Sequence, residues 1–126
     1  MKYEQFISTV ADRAGVTTDE ATAISRATLE TLAERLTAGE AKDLAAQLPA
    51  DMQRWLIPPT PEAQKLSVQD FVQRVADRAQ VDEQRARQGL SAVFNTLRDA
   101  VTEGEFDDVL AQLPREFAEV VQVPPR

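Results

Sequence analysis

Shifted by 65 residues, the chain lies on itself without a gap. Phe6 falls on Phe71, the VADRA of Val10–Ala14 on the VADRA of Val75–Ala79, and Leu32 on Leu97. The stretch TAGEAKDLAAQLP, from Thr37 to Pro49, returns as TEGEFDDVLAQLP from Thr102 to Pro114. Self-similarity of this kind means one supersecondary unit used twice. Two copies are too few for a solenoid, so the expected architecture is an all-α pair, two homologous units of about four helices each, packed as a pseudo-twofold helical bundle. The units are expected at residues 1–59 and 67–126, with a Pro-rich connector at 60–66 containing part of PPTPEAQK. A unit of ~55 residues buries only a marginal core by itself. The two are therefore expected to form one cooperative domain.

Each copy carries the apolar period of helices. Tyr3, Phe6, Ile7, Val10 and Ala14 recur at three- and four-residue spacing and line one helical face. Gly15 stops that helix. Its counterpart starts from a Ser67 N-cap with Asp70 at the third helical position and runs through Phe71, Val72, Val75 and Ala79. The second helix of the first unit opens at Thr17, with Glu20 at capping-box spacing. It carries Ala21, Ile24, Thr28, Leu29, Leu32 and Leu36; in the second copy Asp82 takes the cap, and Ala86, Leu90, Val93, Phe94, Leu97 and Val101 follow.

The repeated stretch then reads as instructions for folding. Thr37 and Glu40, like Thr102 and Glu105, have the S/T-x-x-E spacing in which the glutamate reaches back to the cap residue's amide. Glu40, Asp43, Glu105 and Asp108 fall in first turns, where the helix dipole favours negative charge by ~0.3–1 kcal/mol each. Ala41, Leu44, Ala45 and Leu48 supply an apolar stripe, and Pro49 and Pro114 end the helix before them. Each proline is expected at the first position of a short helix carrying Met52, Trp55 and Leu56, or Phe117, Val120 and Val121. A proline pair, Pro58-Pro59 and again Pro124-Pro125, is expected to close each unit.

Composition narrows the chemistry. The chain has no histidine and no cysteine, so the commonest general base, the commonest nitrogen ligand and the thiolate nucleophile are all missing. The absence of cysteine suits a reducing cytoplasm, the expected location. No apolar run approaches the ~20 residues that span a bilayer, and no signal peptide is visible at the start, so neither membrane insertion nor secretion is expected. A net charge of −7 repels phosphate backbones, so nucleic acid is not expected as a partner. Arg74, Arg78, Arg85 and Arg87 lie close in sequence, but Asp70, Asp77, Asp82 and Glu83 are interleaved with them, which reads as a salt-bridged face.

Three groups of residues remain as candidates. Glu40, Asp43, Glu105 and Asp108 offer paired carboxylates on helix faces, enough for an all-oxygen metal or hydrolytic site. Because capping and dipole effects already account for them, no metal, cofactor or catalytic residue is expected. Asp12-Arg13 and Asp77-Arg78 are identical in both copies and are read as inter-repeat contacts to another helix, or as part of a partner-binding groove. Trp55, the lone tryptophan, is expected to plug the seam between the units, with anchoring of a partner as the alternative. The resulting expectation is a non-enzymatic helical module that binds a protein partner.

VADRAG, LxTLAERL and the pattern L-T-x-G-E-x-x-D-L-x-A-Q-L-P, with its second copy, resemble the bacterial domain-of-unknown-function family two-two-six-seven over nearly the whole chain. The second copy departs from the pattern at Val109-Leu110, where the Asp-Leu-Ala order is lost. The resemblance implies an all-helical bacterial protein and assigns no activity.

Overall fold

The structure, a computed structural model, describes residues 1–121; the second proline pair lies outside the described residues. Eight α-helices and one 3-10 turn make up the described chain, and it contains no strand. They are α1 (Tyr3–Ala14), α2 (Thr18–Arg35), α3 (Ala38–Ala46), α4 (Ala50–Gln53) with the 3-10 turn Arg54–Leu56, α5 (Val68–Ala79), α6 (Glu83–Ala100), α7 (Glu103–Ala111) and α8 (Phe117–Val120).

The caps explain most of these boundaries. Thr17, Thr37 and Thr102 each accept a hydrogen bond through their side chains from the backbone N–H three residues on, and Asp82 does the same for Arg85. Ser67 and Asp70 complete a reciprocal capping box at the start of α5. Helix α1 ends at Gly15 in the left-handed region, φ 68°, and its N–H reaches back to the Ala11 carbonyl. Helix α5 ends the same way, but at Gln80, φ 57°. Pro49 stands one residue earlier than expected, at the cap of α4, and Pro114 is separated from α8 by a turn at Arg115 and Glu116. With φ fixed by its ring, proline serves equally well as an extended lead-in.

The two long helices of each half do not pack mainly on each other. Helix α1 lies chiefly along α6, and α5 chiefly along α2. Polar ties follow the same exchange. Arg13 donates to Thr96 Oγ1 at 3.2 Å and to Asp99 Oδ2 at 2.6 Å; Arg78 donates to Thr31 Oγ1 at 2.8 Å and to Glu34 Oε2 at 2.7 Å. Position for position these two sets are 65 residues apart. Thr31 and Thr96, buried in mid-helix, satisfy their own hydroxyls on the carbonyls of Ala27 and Ala92.

A single apolar core runs through both halves. In the second half Phe71, Phe94 and Phe117 meet, with ring centroids 4.9 Å apart for Phe71–Phe117 and 5.8 Å for Phe94–Phe117. In the first half the corresponding positions hold Phe6, Leu29 and Met52, all fully buried. Burying each such side chain stabilises the fold by ~1.5–3 kcal/mol. The connector is also tied down: Gln64 donates its backbone N–H to the Glu34 carbonyl at 2.8 Å, and its side chain accepts from Arg74.

Candidate functional site

Helices α3 and α7 pack against each other and are stitched by their own motif residues. Gln112 Oε1 accepts from the Thr37 backbone N–H at 2.9 Å, and Gln47 Oε1 accepts from that of Thr102 at 2.8 Å. These are the donors that Glu40 and Glu105 would take in a capping box. The threonine half of each box forms as expected; the glutamate half does not, because an amide from the other half of the chain occupies the place. This corrects the capping account of the glutamates.

The displaced carboxylates meet. Glu40, Asp43 and Glu105 each place an oxygen so that all three atoms lie within 4.8 Å of one another. Glu105 is only 8% exposed. One oxygen of Glu105 and one of Glu40, the Oε2 atoms, are buried without a hydrogen-bond partner. Among the described residues no arginine or lysine forms an ion pair with any of the three. Burial, a hydrogen bond with Glu40, and the charges of Glu40, Asp43 and Asp108 push the Glu105 carboxyl up to about 8. Asp108 is exposed and acts on the cluster by its charge.

Helix α3 turns another face outward. At 100° per residue, Glu40, Asp43 and Gln47 share the side toward α7, while Ala41, Leu44 and Leu48 point into the core. Ala38, Lys42 and Ala45 fall on the side opposite the carboxylates. There they join Gln53, Arg54, Leu56, Ile57 and Pro58 in an open groove of about 460 Å³. Ile57 is 72% exposed, and Met1 is the other large hydrophobic residue exposed among those described. Neither Lys42 nor Arg54 forms an ion pair among the described residues. Nothing in the repeat marks this groove, since Ile57 falls outside the apolar periods.

Of the other candidates, Arg13, Arg78 and Trp55 have structural partners. Arg13 and Arg78 make the inter-helix ties described above. Asp12 and Asp77 stay exposed, Asp77 accepting only from Gln73 on its own helix. Trp55 is buried and packs edge-on against Tyr3 of α1, in its own half, with centroids 6.1 Å apart. Arg74 and Arg78 both bind Glu34, and Arg85 pairs with Glu20. The salt-bridged face thus draws its acids from the first half rather than from the interleaved aspartates. Burial alone would raise the Glu34 carboxyl, but the hydrogen bonds and charges of Arg78 and Arg74 outweigh it and hold the group below its ordinary value.

The family model described as "Uncharacterized conserved protein (DUF2267)" matches residues 3–120. The chain belongs to this family. No curated protein matches the chain. The match to DUF2267 spans both copies of the repeat, and so covers both the carboxylate cluster and the groove. No helix of the described residues is long and apolar enough to cross a membrane.

Proposed function

We propose that this DUF2267 protein is a non-enzymatic interaction module that docks a segment of a protein partner in the groove beside α3. The observation that carries the reading is Ile57, a large apolar side chain left 72% exposed and flanked by the cations Lys42 and Arg54. In a chain of net charge −7 such a local combination selects for its opposite: an apolar side chain flanked by carboxylates. The two halves would act as a pseudo-twofold scaffold that holds the groove rigid, in a reducing cytoplasm suited to a cysteine-free chain. Nucleic acid is disfavoured because Arg74, Arg78 and Arg85, the nearest approach to a basic face, already bind Glu34 and Glu20.

The test is a photo-crosslinking residue at position 57 in the full chain, expressed in its native cell, with the captured segment mapped by mass spectrometry. An acidic segment with an apolar centre, lost when Lys42→Glu and Arg54→Glu are introduced together, supports the reading. Capture of a basic segment, or capture unchanged by the charge reversal, sinks it.

A further inference from the structure

We propose that Glu40, Asp43 and Glu105 form a site for a divalent cation of calcium size, set between α3 and α7. The inference is independent of the docking groove, which lies on the opposite side of α3.

The starting point is a buried carboxyl set among other carboxylates. Glu105 is more than nine-tenths buried, its side chain contributes an oxygen to the carboxylate cluster, and its Oε2 has no hydrogen-bond partner among the described residues; Glu40 Oε2 is in the same condition. A buried polar atom is ordinarily hydrogen-bonded or bound to a metal. Neither arginine nearby in sequence forms an ion pair with these carboxylates among the described residues: Arg98 lies over the Phe106 ring, 5.0 Å from its centroid, and Arg35 makes no ion pair. Capping does not explain the glutamates either, because Gln47 and Gln112 hold the two amides.

The donor set narrows the choice of ion. Three carboxylate oxygens lie within 4.8 Å of one another. Ca²⁺ takes oxygen ligands at about 2.3–2.6 Å, so that ligands on opposite sides stand roughly 4.6–5.2 Å apart. No two of the three oxygens are too far apart to share an ion of that size. Mg²⁺ demands near-ideal octahedral geometry at about 2.0–2.1 Å and keeps most of its waters, so a set of three carboxylates suits the more flexible coordination of Ca²⁺ better. An all-oxygen set with neither imidazole nor thiolate also disfavours zinc and copper. Asp43 is exposed, which opens a path for the ion and leaves room for the waters that complete its coordination. With three protein ligands and an open side, affinity should fall at the weak end for such sites, about 10⁻⁴–10⁻³ M.

The test uses the full chain, stripped with chelator, in mildly alkaline buffer. Calcium chloride is titrated calorimetrically and in thermal melts, beside magnesium chloride and sodium chloride at matched ionic strength. Saturable one-to-one binding of Ca²⁺, with a rise in melting temperature larger than that from Mg²⁺ and absent with Na⁺, is expected. Glu105→Gln and Asp43→Asn should each weaken Ca²⁺ binding at least ten-fold, whereas Asp12→Asn, an exposed carboxylate elsewhere, should not. Asp43→Asn alters an exposed residue and keeps the test decisive if Glu105→Gln fails to fold. Absence of saturable Ca²⁺ binding overturns the proposal, as does binding that survives Asp43→Asn.

Discussion

Gly89 on α6 leaves a gap that Ile24 on α2 fills. A Cβ at position 89 would stand 2.5 Å from Ile24 Cγ2 and 2.8 Å from Ile24 Cδ1. The two residues occupy the same place in the two copies of the repeat, 65 residues apart. One copy therefore carries the knob and the other the hole. Ile24 is fully buried.

Gly89→Ala should destabilise the protein even though alanine favours a helix. The overpacking costs about 1–3 kcal/mol, against roughly 1 kcal/mol gained in helix propensity. In an Ile24→Ala background the clash is gone, and the same substitution should become stabilising. Urea unfolding of the two single variants and the double variant reads this change of sign. A stabilising Gly89→Ala in the otherwise unchanged chain would contradict the close contact.

The ends of α1 and α5 pose a second test, because the same left-handed turn is made by Gly15 in one copy and Gln80 in the other. A side chain in that conformation costs roughly 1–2 kcal/mol. Gln80→Gly should recover most of that, raising the melting temperature. Gly15→Ala should lose a similar amount, and through the backbone alone, since nothing lies within 4 Å of an added Cβ there. Equal and negligible effects at both sites would show that the turn relaxes.

These two pairs mark where sequence reasoning reaches its limit. Periodicity and cap residues placed the helices, because those depend on neighbours three or four positions away; Ser67 with Asp70 and the threonine caps are examples. Partners across the halves were out of reach. Glu40 had the spacing of a capping glutamate, and only the arrival at Thr37 of Gln112, 75 residues further along the chain, releases it to face Glu105. The carboxylates were legible as candidates, whereas their meeting was not. Arg13 and Arg78 were legible as contacts to another helix, but Asp99 and Glu34 as their partners were not. Ile57 carries no periodic signal at all, and its significance rests on the exposure left by the irregular turn around it.

The exchange of partners between halves governs how the chain should unfold. Since α1 lies chiefly on α6 and α5 chiefly on α2, a fragment of residues 1–60 would expose the flanks of both its long helices. It should show no sharp melting transition alone. Mixed with residues 61–126, it should recover a cooperative transition whose midpoint rises with concentration. A sharp, concentration-independent melt of the isolated fragment as a monomer would show that each half is a domain in its own right.

The carboxylate cluster should write itself into the pH dependence of stability. Glu105 titrates near its ordinary 4.5 when unfolded, but at about 8 when folded. Between those values the folded chain holds a proton that the unfolded chain has released. Stability from this group is therefore complete below 4.5, falls as pH rises through the window, and levels off above about 8. Glu34 works in the opposite sense. Its carboxyl is lowered in the folded chain, so its contribution is present above 4.5 and is lost as the solution becomes more acid. In chelator the melting temperature should peak in mildly acidic buffer and decline toward alkaline pH. Glu105→Gln keeps a neutral partner for Glu40 at every pH, so it should flatten the alkaline decline, leave the acid limb in place, and make the variant more stable than the parent above pH 8. An alkaline decline of the same size in both proteins would assign it to groups other than Glu105.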